Sequence, residues 1–185
     1  MKNQPQDLIQ FHEQPQLKDA TLLMAFTGWM DGGEVSTGTV NRIIHLLDAE
    51  PFAELDSEPF YIFNFPGSMD TAAMFRPDIE VVDGLVLSVD MPENTFYWHK
   101  KSNLVFFVGQ EPHLCWPTYR DALIYLAERI GISRILFTGS FGGAVPHTRQ
   151  PRLYITASEE RLLNEMEPFR VRRTSYEGPG SFMSY

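Results

Sequence analysis

Residues 134–149 read RILFTGSFGGAVPHTR. Ile135, Leu136 and Phe137 form a short apolar run between polar residues, which reads as a buried strand of an α/β sheet. The run opens into Thr138-Gly139-Ser140, with Gly142-Gly143 just beyond. Small residues let a backbone turn sharply and leave N–H groups free to face a ligand. Pro146 stiffens the loop. His147, Thr148 and Arg149 then place a proton carrier, a hydroxyl and a fixed cation at its far end. The same groups could instead tie a sheet edge together by hydrogen bonds, and the sequence leaves both readings open.

The same pattern recurs upstream. Residues 21–26, TLLMAF, read as a buried strand, and the glycine-rich turn TGWMDGG follows at 27–33. A helix is predicted over 34–47, with Val40, Ile43, Ile44 and Leu47 on one face and Asp31 or Gly33 placed to cap it. Residues 103–108, NLVFFV, give a second such strand, with Gly109 to His113 as its exit. A helix over 117–130 has Pro117 in its first turn and Gly131 just past its end. Parallel strands joined in this way bring their exit loops to one edge of the sheet. Gly28, Trp29, Asp31 and Gly33 should therefore face Glu111, His113, Cys115 and Trp116, and both groups should face Gly139, His147, Thr148 and Arg149. An Arg149–Glu111 ion pair is the expected link between the last two loops.

The remaining segments are more varied. Residues 1–19 are polar and read as an arm, with a short edge strand near Leu8 to Phe11. Residues 20–185 read as a single domain. Phe60 to Phe63 suggest a strand. Ile79 to Val82 and Leu85 to Val89 flank Asp83-Gly84, a strong hairpin signal. With a further strand at Thr95 to His99, the middle third reads as a β-rich insertion. A strand over Arg152 to Ala157 and a helix over Ser158 to Met166 complete the pattern.

Composition narrows the functions. At 43% hydrophobic and 21% charged, the chain should be globular. A net charge of −9 disfavours nonspecific binding to nucleic acid or anionic membranes. Cys115 is the one cysteine, so no internal disulfide can form and a cytoplasmic setting is the default. The first residues lack an apolar core of signal-peptide length, and no run is long enough to span a bilayer. Aromatics make up 13% of the chain, and some of those at 60–65 and 96–98 are expected to form an exposed patch for self-association or partner binding.

No complete catalytic motif is present. TGWMDGG is neither a dinucleotide fingerprint nor a phosphate loop. GSFGG sets its serine one place too early for a nucleophile elbow. Asp31, Glu111 and His147 lack a repeated metal-ligand spacing, so no metal is expected. Cys115 beside Trp116 reads as a small buried hydrophobe.

LLMAFTGWMDGGEVSTGTVNRIIHLL, LVFFVGQEPHLCWPTYRDAL, ILFTGSFGGAVPHTR and SYEGPG, in this order, resemble the bacterial and archaeal branch of the proteasome assembly chaperone family. The resemblance runs from about residue 20 to 180. It rests on G-W-x-D-[AG]-G, G-x-E-P-x-x-x-W and V-P-H-T-R. The matching positions are Gly28, Trp29, Asp31 and Gly33; Glu111, Pro112 and Trp116; Pro146 to Arg149; and Tyr176 to Pro179. The resemblance implies a three-layer α/β/α domain with a mainly parallel sheet, similar to the phosphorylase/hydrolase-like fold. There are departures. FPGSMDTAAMF sits where a shorter polar step is usual. Family chains usually continue beyond the Y-E-G-P step, which suggests a domain truncated at its C-terminal end. Members that dock on proteasomes often end in hydrophobic–Tyr–any, whereas this chain ends Met183-Ser184-Tyr185.

Two functions follow. The first is a non-enzymatic, chaperone-like protein that forms homo-oligomers, binds a protein client and uses no cofactor. The second is an enzyme or binder of an anionic or nucleotide-like ligand in the three-loop crevice. Loops closed on one another favour the first, and an open polar pocket favours the second.

Overall fold

The apolar run at 21–26 has no polar face, so its strand must be covered on both sides. The computed structural model describes residues 4–185 and shows this arrangement. Along the chain lie β1 (Ile9–Phe11), β2 (Ala20–Thr27), α1 (Val35–Leu47), β3 (Glu50–Leu55), α2 (Met69–Ala73), β4 (Asp78–Val82), β5 (Leu85–Asp90), β6 (Thr95–His99), β7 (Leu104–Gln110), α3 (Trp116–Ile130) and β8 (Ile132–Phe137). Leu22, Met24 and Phe26 of β2 join Val105 and Phe107 of β7 beneath Tyr119, Leu123, Leu126 and Ile130 of α3. The alternate residues Leu23, Ala25 and Phe106 meet Val40, Ile43, Ile44 and Leu47 of α1. The result is one sheet between two helical layers.

The six-stranded sheet has the order β1-β3-β6-β7-β2-β8. β2 pairs in parallel with both β7 and β8, as the three strand-and-loop segments predict. β6 is antiparallel to β7, and β3 is antiparallel to β6, so β3 runs the same way as β2, β7 and β8. β1 closes the far edge against β3. β4 and β5 form the predicted hairpin as a separate two-stranded sheet. Asp83 (φ 49°) and Gly84 (φ 81°) both adopt the left-handed conformation that a two-residue hairpin turn requires.

Three expectations are corrected. Phe60 to Phe63 is irregular, not a strand. Phe60 and Tyr61 are both buried, so successive side chains point inward where a strand would alternate them. The Phe60 carbonyl instead accepts the N–H groups of His113 (2.9 Å) and Leu114 (3.0 Å), fastening this segment to the exit of β7. The strand of this region is β3, which begins Glu50-Pro51. β8 forms where expected but is not buried: Ile135 and Leu136 are 42% and 47% exposed. It lies at the sheet edge, with a strand neighbour on one side only. The exposed apolar surface is aromatic only in small part: Phe65 is 42% exposed, but Phe60, Tyr61 and Phe96 lie in the core, and the large exposed apolar side chains concentrate on the β4–β5 hairpin.

The chain divides into two compact units, Met1–Phe141 with Ser181–Tyr185, and Gly142–Gly180. The second unit carries β9 (Tyr154–Ile155), α4 (Glu160–Met166) and β10 (Arg172–Arg173). β9 and β10 pair in parallel. The strand expected over 152–157 thus contracts to two residues, and the N-cap of α4 is Glu159, not Ser158. Arg173 reaches Asn164 (2.8 Å) and Glu167 (3.2 Å), which ties β10 to the helix.

Candidate functional site

The exit loops of β2 and β7 close on each other through backbone groups and one carboxylate. The Glu111 N–H donates to the Thr27 carbonyl (3.0 Å). One Glu111 carboxylate oxygen accepts the Trp29 N–H (3.2 Å). The other accepts the Phe182 N–H (2.7 Å). Both oxygens of Glu111 are therefore held by peptide donors of its own unit. Gly28 makes the approach possible. It has φ 120°, and a Cβ there would stand 3.3 Å from the Cβ of Glu111.

The N-cap residue of α1 is Glu34, not Asp31 or Gly33, but Asp31 still serves the helix from three residues further back. Its carboxylate accepts the Thr37 N–H (3.1 Å) and the Thr37 hydroxyl (2.6 Å) in the first turn of α1. A carboxylate at that helix end also answers the positive end of the dipole. The β2 exit meets the β8 exit as well. Asp31 and Ser140 form a parallel bridge. The Gly32 N–H donates to the Ser140 carbonyl (3.0 Å), and the Ser140 N–H donates to the Met30 carbonyl (2.7 Å). Ser36 adds a hydroxyl hydrogen bond to the Thr138 carbonyl. Gly139 lies against Met30 and Phe137, where a Cβ would come within 2.9 Å of either side chain.

His113 is fixed by the loop it fastens. Its Nδ1 accepts the Ile62 N–H (3.2 Å). Tyr61 and Phe75 pack edge-on against the ring. Trp116 donates its indole N–H to the Pro112 carbonyl (2.7 Å) and packs against Phe182 and Tyr185. Cys115 corrects the sequence reading. It is exposed, at φ 55°, on the residue before α3.

Sequence reasoning missed the polar centre beneath these loops. Asn94 is 2% exposed, and its carbonyl oxygen lies within hydrogen-bond reach of the Tyr61 hydroxyl (2.8 Å), the Tyr119 hydroxyl (3.0 Å) and the Gln110 N–H (3.2 Å). The Tyr61 hydroxyl also reaches the Gln110 carbonyl (2.7 Å). Burial pushes the Tyr61 hydroxyl up to about 12, against the lowering effect of Asn94, and pushes Tyr119 well above its ordinary value. No local pattern marked Asn94, because its partners come from three other segments.

A cleft of about 620 Å³ remains open above the loops. Its lining is mixed: Trp29, Ile62, Phe75 and Trp116 are aromatic or apolar, and Thr27, Gln110, Glu111 and His113 are polar, with Glu111 as the carboxylate. Trp29 is 62% exposed there. His147, Thr148 and Arg149 belong to the second unit, where all three are exposed and the Arg149 N–H donates to the Pro146 carbonyl (2.9 Å). Among the described residues, no group of three acidic, histidine or cysteine side chains is placed to hold a metal ion, and no helix is long and apolar enough to cross a membrane.

The fold and these loops define an α/β protein whose sheet-edge crevice is held by its own backbone. A model described as the PAC2 family matches residues 25–185, and the chain belongs to that family. This is the family read from the three loop motifs. No curated protein matches the chain. Among solved structures, it is similar to a PAC2 family protein from Streptomyces avermitilis (TM-score 0.71, 23% identity, 90% of this chain and 67% of that one). It is also similar to a proteasome-assembly chaperone homologue from Mycobacterium tuberculosis (0.74, 24%, 89% and 66%). A third likeness is to an archaeal proteasome activator from Pyrococcus furiosus (0.58, 20%, 94% and 68%). The chain thus spans about two thirds of the length of each of these proteins.

Proposed function

We propose that the protein is chaperone-like, works by binding a protein client and acts as a homo-oligomer. The observation that carries this reading is the use of both loop carboxylates as ties within the protein. Glu111 is held by the Trp29 and Phe182 N–H groups, and Asp31 is held by Thr37. Each of these oxygens accepts a hydrogen bond from the protein itself, so both side chains serve to hold loops. Membership of the PAC2 family supports the same reading, as do the fold likenesses to a proteasome-assembly chaperone homologue and a proteasome activator. The phosphorylase/hydrolase-like architecture is proposed on the same resemblance.

Mixing the protein with purified α and β subunits of a bacterial 20S proteasome, and following assembly on native gels, tests the client. Binding to α subunits or to half-assembled particles is expected. Unchanged assembly with no complex would remove the proteasome from the proposal.

A second reading, a small-ligand binder, rests on the 620 Å³ cleft. Its lining includes the Glu111 carboxylate and no Lys or Arg, which favours a neutral or cationic ligand over the anionic one expected from sequence. A thermal-shift panel of amines, nucleosides and nucleotides tests it, since specific binding raises apparent stability.

A further inference from the structure

β4 is an uninterrupted strand, so its side chains alternate cleanly between two faces. Asp78 and Glu80 share one face, and their cross-strand partners are Asp90 and Ser88. Ile79 and Val81 share the other, and their partners are Val89 and Val86. Leu87 stands in the irregularity between these pairs. One face of the hairpin is thus acidic along its base, and the other is entirely apolar. Every one of the apolar residues is exposed: Ile79 60%, Val81 51%, Val86 61%, Leu87 60% and Val89 49%. A hairpin of this kind normally lays its apolar face on a core, and an isolated two-stranded sheet is only marginally stable in water. Among the described residues, these side chains remain exposed to solvent.

We infer that the apolar face of the β4–β5 hairpin is a self-association surface, stacked against the same face of a second copy of this chain. The inference rests on the homo-oligomer proposed above and names its contact. Three features select a second copy. The face carries no charge, so it needs no complementary charge from its partner. It is built almost wholly of β-branched residues, and two such faces interdigitate at the usual spacing of stacked sheets, about 10 Å. Stacking also sends Asp78, Glu80 and Asp90 of each copy to the outside. The carboxylates of the two copies are then separated by more than the Debye length of about 8 Å, and the net charge of −9 opposes the contact only weakly. The area is adequate. Five side chains exposing roughly 100 Å² each withdraw at most on the order of 1,000 Å² from water across two copies, the least that a specific interface requires.

Sedimentation velocity from about 1 to about 100 µM is the test, on the full chain and on two paired variants. The variants are Val81→Glu with Val89→Glu, and Val81→Lys with Val89→Lys. Wild type should associate as its concentration rises, and each variant alone should remain at least tenfold weaker in association. An equimolar mixture of the two variants should associate again, because opposite charges then face one another. That rescue cannot come from a hairpin that has merely unfolded. Glu80→Lys, on the outer face, should associate like wild type. If wild type associates and both variants do so equally well, the hairpin is not the contact, and the homo-oligomer stands without it. If wild type is monomeric throughout, the homo-oligomer falls as well, and the apolar face is left to a different protein.

Discussion

Glu111 precedes a proline in an exit loop, a position that invites a catalytic reading. Its surroundings assign it a different task. Two peptide N–H groups, of Trp29 and Phe182, converge on its two oxygens and join the β2 exit and the segment Ser181–Tyr185 to the β7 exit. Glu111→Ala leaves both donors without this acceptor and should cost about 1–3 kcal/mol. Glu111→Gln keeps one carbonyl oxygen and should cost about 1 kcal/mol. Arg149→Ala, at an exposed residue, should change stability by no more than about 0.5 kcal/mol. Urea midpoints of the three variants check the order, and a large loss in Arg149→Ala with none in Glu111→Ala would reverse the assignment.

At the scale of elements, α3 is decided at its ends. Pro117 lies in the first turn, where its missing N–H costs nothing. Gly131 ends the helix at φ 85°, and its N–H donates to the Ala127 carbonyl (3.1 Å). The same residue lies against the Leu17 carbonyl, in space that a Cβ would need. The Gly131 carbonyl accepts the Ala20 N–H (3.1 Å) and so starts β2. Gly131→Ala therefore strains the backbone and clashes with the segment before β2, and should cost about 2–4 kcal/mol. Thermal unfolding checks this against Gly142→Ala, where a Cβ meets nothing within 4 Å and φ is unstrained, and where little change is expected.

For the whole molecule, the polar centre sets the response to alkali. Tyr61 and Tyr119 lie between α3, the 60–62 segment and the β7 exit, and Asn94 bridges them. The sign follows from their raised values, about 12 for Tyr61 and higher than usual for Tyr119, with burial as the main cause in both. The folded state holds these protons where the unfolded chain, near pKa 10, has released them. Their stabilisation is complete below pH 10 and is lost as pH rises from 10 toward 12. Each tyrosine removes up to about 1.4 kcal/mol per pH unit over that range. Urea unfolding at pH 9 and pH 11 should show the loss, and Tyr61→Phe should make the slope shallower. A midpoint independent of pH over this range would contradict the buried pair. Asn94→Ala should cost about 2–4 kcal/mol at neutral pH, because it strands the Gln110 N–H and the Tyr119 hydroxyl in the core.

The parallel strands β2, β7 and β8, their two helices and the Asp83-Gly84 hairpin were legible because each is written in local pattern. A continuous apolar run, a 3.6-residue periodicity, a proline at one helix end and a glycine at the other act within a few residues of where they stand. The tertiary structure alone decided what Phe60 and Tyr61 do, since their buried positions and the clasp to His113 depend on a segment about fifty residues away. It alone placed β8 at an edge with Ile135 and Leu136 half exposed, because an apolar run does not record how many neighbours its strand will have. It alone made Asn94 a buried acceptor and Glu111 a tie between loops. Sequence specifies which side chains can donate, accept or hide from water; which of them meet is decided only when distant segments pack.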